Sequence, residues 1–548
     1  MSILEYFPSQ YTPRQIQKDI LNEVEENIKS GYKKIIISAP TGVGKSLIGA
    51  SIAKFFERSF VVTASKHLQD QYIKDISFLS PVKGKKNYAC LKLMGLKNIN
   101  DKKTALEQEL TCEKGECEEE KTEAGIKYCK FKPQISELEK GTDLEESCYY
   151  YLEKYNSLLS EHPLWNYASF FQIMKFSKKV FAKYLQRKVS IFDEAHRIED
   201  QIIQFIGIDI TKKQLDECGI NYSPNIFRDV DTVLNLLDSM RRSYGAQLAE
   251  MESRRVQNYK EYGRILSRFD KTVNARVDIE NEKDNFIIND PEMESGRFKS
   301  ISIKPLDVSN FIDSFFETEY QIFMSATIDR AGFCENMGLD TSQIAFIDTP
   351  KSPFPLENRK IDFLDVGKLG QSADESTELS VMKKIDKLLS KHSDERGLIL
   401  TSSKSRCWTI KNSLSKINKS RIRICHSENP FGKTQDDIIQ EHSEDPTGVL
   451  LSSSLWEGVD LKDDLSRFQI IAKVPYPNYG EKRTKVKMSK FPLWYNSQTL
   501  MKLLQGFGRS IRSDNDWAKT YVLDTKVHEL INRTKNQIPR AYYDVLGL

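Results

Sequence analysis

Short apolar runs recur along the chain, and most of them are followed by polar or glycine-rich residues. Runs of three to five apolar, mainly β-branched residues have the length of strands that are buried in a parallel sheet. After the first run come a glycine-rich turn, a helical pattern over residues 47–56 and a second apolar run, an order that predicts a βαβ unit. The predicted strands are residues 34–38, 60–63, 189–192, 320–324, 397–400, 449–451 and 468–471.

Strands alternate with helical patterns over two separated stretches, which predicts an α/β fold with two doubly wound parallel-sheet domains. Two regions interrupt this alternation. Residues 84–150 are rich in Cys, Glu and Lys and carry few strand signals, and residues 210–310 are long, polar and mostly helical in pattern. We expect both regions to be insertions in the first α/β domain, and the proline-containing segment 351–360 to lead into the second.

The composition is that of an ordinary globular protein, with 39% hydrophobic and 29% charged residues in 548 positions. This length allows three or four domains with sizeable cores. No apolar run is long enough to cross a bilayer, and the first residues lack the basic and apolar regions of a secretory signal. We therefore expect a cytoplasmic protein without a membrane partner.

The net charge of +3 does not by itself demand a polyanionic partner, but the charge is unevenly distributed. Residues 470–512 contain nine Lys or Arg and a single acidic residue, Glu481. Basic side chains neutralise phosphates and aromatic rings stack on bases, so this stretch favours nucleic-acid binding over a solvated face with core aromatics. The interleaved aromatic residues are Tyr476, Tyr479, Phe491, Trp494 and Tyr495.

The turn after the first predicted strand has the pattern of a phosphate-binding loop. Its glycines allow backbone N–H groups to surround a triphosphate, Lys45 can reach the β- and γ-phosphates, and Ser46 can ligate Mg²⁺. The alternative is a glycine turn with a surface lysine, which the strand–turn–helix context makes the weaker interpretation. The segment reads Ala39-Pro40-Thr41-Gly42-Val43-Gly44-Lys45-Ser46, and we assign nucleotide contacts to Thr41, Gly42, Gly44, Lys45 and Ser46.

Asp193-Glu194-Ala195-His196 directly follows the predicted strand 189–192. A carboxylate at the end of such a strand can hold the Mg²⁺ that bridges the phosphates, and its neighbour can polarise the attacking water. We assign Asp193 to Mg²⁺ and Glu194 to general-base catalysis, and His196 can relay the nucleotide state. A solvated acidic turn is the alternative, which the phosphate loop upstream disfavours.

Gln505-Gly506-Phe507-Gly508-Arg509-Ser510-Ile511-Arg512 places two arginines three positions apart, on one face of a helix. An arginine that reaches the γ-phosphate from a second domain stabilises the charge of the transition state. This predicts catalytic roles for Gln505, Arg509 and Arg512. Taken alone, the segment is more typical of a phosphate-binding or salt-bridged pair on a surface helix.

Together these segments resemble the superfamily 2 helicases of the DEAH type, which have two RecA-like motor domains. The resemblance extends over most of both predicted α/β domains and implies that Arg14 and Gln17 contact adenine, and that Asp460 binds the nucleotide. It also implies that Thr63 and Gln69 face a nucleic-acid backbone. Further matching segments are Ser325-Ala326-Thr327 and, similar to the XPD/DinG branch in particular, Ser352-Pro353-Phe354 and Trp456-Glu457-Gly458-Val459-Asp460.

Five of the nine cysteines lie between positions 90 and 148, and such a cluster of thiols in a cytosolic protein indicates a metal site. The resemblance implies that four of them bind a 4Fe–4S cluster. The residues before Cys90 and after Cys148 resemble the entry and exit of the family's cluster domain, although Lys85 stands where Arg is usual. The family spacing fits Cys90, Cys112, Cys117 and Cys148; Cys129 is the expected spare but could replace Cys112 or Cys117, and zinc is the alternative metal.

The resemblance implies a motor domain 1 of residues 1–84, 151–209 and 311–350, a cluster domain of residues 85–150, an arch domain of residues 210–310 and a motor domain 2 of residues 351–548. It further implies an ATP- and Mg²⁺-dependent DNA helicase that moves 5′→3′ on single-stranded and forked DNA and acts as a monomer in DNA repair, including nucleotide excision repair, with repair proteins as partners. The alternatives are a DinG-like helicase and an ATPase scaffold that remodels DNA with weak unwinding.

Overall fold

The structure, a computed structural model, describes residues 2–115, 117–122, 125–141, 146–254, 256, 258–370, 374–426, 433–459, 461, 463–511 and 515–548. The strands are β1 (Lys34–Ser38), β2 (Ser59–Thr63), β3 (Ser80–Val82), β4 (Glu118–Thr122), β5 (Gly125–Tyr128), β6 (Pro163–Asn166), β7 (Val189–Asp193), β8 (Ile208–Thr211), β9 (Phe286–Ile288), β10 (Glu292–Glu294), β11 (Arg297–Pro305), β12 (Tyr320–Ser325), β13 (Ile344–Asp348), β14 (Ile361–Gly367), β15 (Gly397–Leu400), β16 (Ile422–Ile424), β17 (Val449–Ser452), β18 (Phe468–Ile471) and β19 (Lys519–Asp524).

Helices connect these strands and cover the sheets. They are α1 (Gln15–Lys29), α2 (Lys45–Phe55), α3 (Lys66–Asp75), α4 (Leu91–Lys97), α5 (Lys102–Glu107), α6 (Ile135–Glu139), α7 (Tyr149–Leu159), α8 (Tyr167–Gln172), α9 (Lys178–Phe181), α10 (Ile198–Ile203), α11 (Lys212–Glu217), α12 (Val230–Ser253), α13 (Tyr259–Asn281), α14 (Arg330–Asn336), α15 (Glu375–Lys391), α16 (Lys404–Ser413), α17 (Lys416–Arg421), α18 (Gln435–Glu444), α19 (Lys482–Lys490), α20 (Pro492–Phe507), α21 (Lys526–Arg533) and α22 (Tyr543–Leu546).

The first large sheet has seven strands in the order β13-β1-β12-β7-β2-β6-β3, and every neighbouring pair is parallel. Successive side chains of a strand point to opposite faces, so β1 supplies both cores: Ile36 packs into one apolar cluster and Ile35 and Ile37 into the other. Burial on both faces explains why its strands are continuous apolar runs.

The second sheet has six strands in the order β14-β19-β18-β15-β17-β16, again all parallel. Its strand β15 divides in the same way, with Leu398 and Leu400 in one core cluster and Ile399 in the other. The predicted α/β class with two parallel-sheet units is therefore confirmed. All seven predicted apolar runs form strands, and the structure lengthens four of them by one residue.

The region between α3 and α7 contains few buried apolar side chains. It holds the short helices α4, α5 and α6 and a two-stranded antiparallel hairpin of β4 and β5. Small clusters around Cys90 and Met94 take the place of a large core. A bridge between Ala89 and Thr111 brings the first two cysteines of this region, Cys90 and Cys112, close together.

The region between α10 and β12 contains two long helices, α12 and α13, which pack against each other. The expectation of a mostly helical insertion misses an antiparallel sheet at its base, in which β11 pairs with β8, β9 and β10. The pattern of β11 carried this information, because Phe298, Ile301 and Ile303 are buried and alternate with more exposed residues. Within the described ranges, no helix is both long and apolar enough to span a bilayer.

Candidate active site and cysteine cluster

The phosphate-loop residues connect β1 to α2 in a turn that only glycine adopts easily. Gly42 and Gly44 have φ of +85° and +84°, in the left-handed region that side chains rarely enter. Lys45 begins α2, and its Nζ donates to the carbonyl oxygen of Ala39 at 3.2 Å. The loop thus presents backbone N–H groups at a helix N-terminus, where an anion is favoured.

Two side chains of the first helical segment hold this loop from behind. Arg14 donates from Nη2 to the Gly42 carbonyl at 2.7 Å, and Gln17 donates from Nε2 to the Val43 carbonyl at 2.9 Å. Gln17 is almost fully buried. In this structure both residues fix the loop backbone, and their expected contact with adenine stays a prediction.

Asp193 and Glu194 lie at the carboxyl end of β7, opposite the phosphate loop. Asp193 accepts hydrogen bonds from the Tyr72 hydroxyl at Oδ2 and from the Glu194 N–H at Oδ1, both 3.0 Å long. Burial, and then the charge of Glu194, raises the pKa of Asp193 to about 6, although Lys45 opposes this shift. Burial also opposes ionisation of Glu194, but the positive charges of Lys45 and its other basic neighbours hold its pKa below the ordinary value.

His196 connects the two sheets. Its Nδ1 lies 2.8 Å from the Ser325 hydroxyl at the end of β12, and its Nε2 lies 2.6 Å from Nε2 of Gln505 in α20. When the Gln505 amide donates, His196 carries its proton on Nδ1 and donates to Ser325. One imidazole therefore contacts a side chain from each motor unit.

Glu457 adds a carboxylate to this junction. Its Oε2 lies 3.5 Å from Nε2 of His196 and 3.4 Å from Nε of Arg197. Burial opposes its ionisation, but the nearby His196 and the charges of Arg197 and Arg509 lower the pKa of Glu457 to about 2. Glu457 stays ionised at neutral pH and attracts both basic residues of the first unit.

Arg509 is buried beside the same junction, but α20 ends at Phe507, so the prediction that Arg509 lies on a helix is wrong. Its Nη1 donates to the Val459 carbonyl at 2.8 Å, and its charge lowers the pKa of Glu194. Arg509 therefore faces the carboxylate pair from the second unit, as an arginine that senses a γ-phosphate would. Arg512 and Asp460, which we also expect in the site, lie outside the described residues.

A cavity of 340 Å³ lies among these groups. Phosphate-loop, acidic and basic side chains thus converge on one space between the two sheets, which can hold a charged ligand and a divalent cation. The first unit contributes Tyr11, Thr41, Gly42, Gly44, Lys45, Ser46, Asp193, Glu194 and His196 to its walls, and the second contributes Glu457, Gly458, Gln505 and Arg509.

Phe354 of the expected Ser-Pro-Phe segment lies against the phosphate loop. A methyl group built on Gly42 would come within 2.1 Å of Cζ of Phe354, so Gly42 is required there for space as well as for its backbone conformation. Phe354 packs with Ile511 and Ala518 of the second unit. The segment between the sheets is thereby attached to both of them.

Two further residues of the site, Tyr72 and Glu457, carry no role in the sequence-based assignment. Tyr72 lies inside α3, where the sequence pattern is that of an ordinary buried residue of an amphipathic helix. Glu457 lies in one of the segments that carry the family resemblance, so the sequence did offer a signal that it belongs to the site. No comparable signal pointed to Tyr72, because its partner Asp193 is 121 positions away.

The expectation that Gln69 faces a nucleic-acid backbone is wrong. Its side chain is fully buried and donates from Nε2 to the carbonyls of Val82 at 3.0 Å and Leu164 at 3.1 Å. Those carbonyls belong to the edge strand β3 and its neighbour β6, so Gln69 joins α3 to the sheet. Gln69 is polar because it makes hydrogen bonds inside the protein, not because it is exposed to solvent.

The nucleic-acid interpretation of residues 470–512 is also wrong for two of its basic residues. Arg483 donates from Nε to the Pro305 carbonyl at 2.8 Å and from Nη2 to the Leu306 carbonyl at 3.0 Å. Lys487 is fully buried in an ion pair with Glu199 of α10. Helix α19 therefore docks on the first unit and on the base of the α12–α13 region.

The cysteines of the region before α7 form a second site. Cys112 Sγ lies 3.7 Å from Cys148 Sγ and also hydrogen-bonds to Cys90. That bond from Cys112 lowers the pKa of Cys90 to about 6, and the corresponding bond lowers the pKa of Cys148 to about 6. The pKa of Cys112 is raised instead, by its close contacts with Cys148 and Cys90 and by burial.

Cys117 and Cys129 lie in the same region. Cys117 Sγ is 3.8 Å from Nζ of Lys85, and the Cys129 N–H donates to the Cys117 carbonyl at 3.0 Å. Burial, and then the nearby Cys117, raises the pKa of Tyr150 to about 12. Among the described side chains, no group of three or more His, Cys, Asp or Glu is arranged in a metal-binding geometry.

A large cavity of 980 Å³ lies between the cysteine region, the antiparallel sheet of β8 and β11, and α13. Lys85, Cys117 and Tyr151 line one side of it, and Lys271 and Asp278 line the other. Lys175 and Asp278 form an ion pair of 2.6 Å across its rim, between the first unit and α13. The lining carries charges of both signs, including Lys271 and Asp278.

Comparisons with known proteins give consistent similarities. Residues 10–218 match the family model "Type III restriction enzyme, res subunit", and residues 386–544 match "Helicase C-terminal domain". The chain is 24% identical to the ATP-dependent DNA helicase YoaA of Haemophilus influenzae, over 94% of this chain and 91% of that protein.

Solved structures share the fold at low identity. An XPD helicase has a TM-score of 0.58 at 15% identity, covering 96% of this chain and 98% of that one. The Xpd4 protein of S. tokodaii has a TM-score of 0.51 at 14% identity, covering 95% and 98%. The match to a helicase C-terminal domain, the similarity to an ATP-dependent DNA helicase and the carboxylate pair beside a phosphate loop indicate an ATP-hydrolysing enzyme. The chain is thus similar in sequence to a DNA helicase and in fold to XPD helicases.

Proposed function

We propose that this enzyme is an ATP-dependent helicase that moves 5′→3′ on single-stranded DNA and separates duplex DNA at forks. The contact between His196 and Gln505 is the observation that carries the proposal, because it joins the carboxylate pair of one motor unit to the helix that precedes Arg509 in the other. A change at the nucleotide is thereby transmitted to the relative position of the two units.

The proposed chemistry uses the side chains around the 340 Å³ cavity. Arg14, Gln17 and Asp460 contribute to nucleotide binding, and Thr41, Gly42 and Gly44 shape the loop around the phosphates. Lys45 neutralises the phosphate charge, while Ser46 and Asp193 are the groups that would hold Mg²⁺. Glu194 accepts a proton from the attacking water, and Gln505, Arg509 and Arg512 act from the second unit, where the arginines stabilise the developing charge.

Two observations support the assignment of DNA as the substrate. The Haemophilus relative bears the name of a DNA helicase, and the 980 Å³ cavity offers a passage between the cysteine region and α13. We propose that one strand passes there while the other is excluded. The division into motor residues 1–84, 151–209 and 311–350, cluster residues 85–150, arch residues 210–310 and motor residues 351–548 belongs to this proposal.

We further propose that Cys90, Cys112, Cys117 and Cys148 hold a 4Fe–4S cluster. The chemistry of the donor set fits such a group, because thiolates are its usual ligands and the thiols of Cys90 and Cys148 both lie beside that of Cys112, although these three are not arranged in a metal-binding geometry. The same region has little apolar core, so a bound cluster would supply the cohesion that packing does not. Its proposed role is structural. Zinc bound by the same four thiolates is the alternative, and metal analysis of the purified protein distinguishes iron from zinc.

A strand-displacement assay with the purified chain, ATP and Mg²⁺ tests the proposal. We expect displacement of a strand from a duplex with a 5′ single-stranded tail and none from a duplex with only a 3′ tail. Displacement from the 3′ tail alone contradicts the direction. ATP hydrolysis stimulated by single-stranded DNA without any displacement favours a remodelling ATPase that works within a larger assembly.

We propose that the chain works as a cytoplasmic monomer with repair proteins as partners, in DNA repair that includes nucleotide excision repair. The support is the family type, since the XPD/DinG-like enzymes share both motor sheets with this chain. Sedimentation of the free enzyme and of its complex with forked DNA tests the oligomeric state. A dimer in both samples contradicts a monomeric motor.

A further inference from the structure

Tyr72 reaches the acidic pair from behind the phosphate loop. It lies in the interior of α3 with 1% of its surface exposed, and its hydroxyl donates to Oδ2 of Asp193 at 3.0 Å. The hydroxyl passes beside Gly49 of α2, where a methyl group would stand 3.6 Å from it. A phenol in an otherwise apolar core thus ends at one carboxylate.

The two bonds that Asp193 accepts come from opposite directions in the chain. Oδ1 accepts from the backbone N–H of Glu194, and Oδ2 accepts from Tyr72. A carboxylate that is held at both oxygens cannot rotate about its Cβ–Cγ bond without breaking one of the bonds. Each oxygen keeps a second lone pair for a cation or its water.

We propose that Tyr72 is a positioning residue for the hydrolysis reaction, which fixes the plane of the Asp193 carboxylate toward the metal-bound nucleotide. This inference rests on the proposed function, in which Asp193 serves Mg²⁺. Tyr72 touches neither nucleotide nor metal and acts through Asp193 alone. Preorganisation of this kind lowers the cost of assembling the metal site.

Tyr167 provides a matched comparison. It is also fully buried, but its hydroxyl donates to the main-chain carbonyl of Asp193 at 2.9 Å rather than to the carboxylate. Removing either hydroxyl deletes one buried hydrogen bond near the same residue. Only the Tyr72 hydroxyl controls the orientation of the metal-binding group, so the two substitutions separate positioning from stability.

The experiment measures ATP hydrolysis as a function of Mg²⁺ concentration for wild type, Tyr72→Phe and Tyr167→Phe. We expect Tyr72→Phe to raise the Mg²⁺ concentration for half-maximal turnover roughly tenfold, the loss of one charge-assisted hydrogen bond. Tyr167→Phe lowers the melting temperature to a similar extent but leaves the Mg²⁺ dependence unchanged. Phenylalanine keeps the ring of Tyr72, and the melting temperature checks that each variant is folded.

A second measurement uses Asp193→Asn as background. If Tyr72 acts through Asp193, adding Tyr72→Phe to Asp193→Asn causes no further shift in Mg²⁺ dependence, because the two effects are not additive. A Mg²⁺ curve of Tyr72→Phe that coincides with wild type, or an equal shift in Tyr167→Phe, overturns the inference. Absence of Mg²⁺-dependent hydrolysis in the wild type instead contradicts the proposed function.

Discussion

His196 and Gln505 meet side chain to side chain, with 2.6 Å between their Nε2 atoms, although 309 positions separate them in the sequence. His196 stands two residues after Glu194, and Gln505 stands four residues before Arg509. This contact therefore links the segment of the proposed base to the segment of the proposed arginine. It offers a direct way for domain closure to depend on the nucleotide.

Gln505→Ala should uncouple the two motor units. We expect ATP turnover in the presence of single-stranded DNA to fall about tenfold, because one buried hydrogen bond of about 1.5 kcal/mol is lost where the units meet. Gln440→Ala, on the exposed helix α18, is the matched control and should behave as wild type. Turnover of Gln505→Ala at the wild-type rate contradicts a role for this contact.

Lys45→Ala should abolish ATP hydrolysis and leave the fold and single-strand binding intact. The lysine neutralises phosphate charge and packs in no core, so its loss affects the transition state rather than stability. Lys54→Ala, near the exposed end of the same helix α2, is the control. A Lys45→Ala enzyme that keeps more than a modest fraction of DNA-stimulated turnover removes the phosphate-loop assignment.

Glu194→Gln should bind ATP and Mg²⁺ but hydrolyse it at least about 100-fold more slowly, because the metal ligand Asp193 remains while the water loses its base. Binding is measured with a fluorescent ATP analogue, and turnover by phosphate release. Failure of this variant to bind nucleotide shows that the two carboxylates do not divide the work as proposed.

Cys148→Ser should release iron and stop strand separation while retaining substantial DNA-stimulated ATP hydrolysis. The motor units have their own cores, whereas the cysteine region depends on the metal for local folding. Iron and sulfide content, with a visible spectrum of anaerobically purified protein, is the measurement. Cys218→Ser, in the α12–α13 region, is the control and should keep its colour.

Cys129→Ser tests the choice of the fourth ligand. It should retain iron and helicase activity, while Cys90→Ser, Cys112→Ser and Cys117→Ser should lose both. If Cys129→Ser is colourless and either Cys112→Ser or Cys117→Ser keeps its colour, then Cys129 is a ligand in place of that other cysteine. Zinc in place of iron in every sample overturns the cluster but keeps the site.

Lys487→Met should destabilise the contact between α19 and the first unit. Lys487 is fully buried and Glu199 nearly so, and removal of one partner from a buried ion pair costs about 3 kcal/mol. The free energy of unfolding in urea measures this, with Lys485→Met as the control for a residue that lies on the same helix. An unchanged free energy of unfolding for Lys487→Met shows that Arg483 compensates fully for the lost charge.

Local patterns in the sequence determined much of the fold and of the site. The apolar runs specified seven strands, since a strand buried on both faces needs a continuous apolar segment. The phosphate loop was specified by Gly42 and Gly44, whose positive φ angles only glycine adopts at little cost. The apolar run of residues 189–192 likewise placed Asp193 and Glu194 at the carboxyl end of β7.

The antiparallel sheet around β11 was not predicted, although its alternating pattern lay in the sequence, because the long helical pattern of α12 and α13 dominated the same region. The basic character of α19 was also misleading. Lysine and arginine next to aromatic rings fit nucleic acid and a buried interface equally well, and only the position of Glu199 and the Pro305 carbonyl decided for the interface.

The sequence by itself determined the segments that act within a few residues of one another: the phosphate loop, the Asp–Glu pair and the segment with Gln505 and Arg509. Only the tertiary structure decided which of these segments meet. The pairings of Tyr72 with Asp193 and of His196 with Gln505 join residues more than 100 positions apart. A hydrogen bond requires two groups within about 3 Å, and for residues so distant in the chain that proximity is set by the packing of sheets and helices.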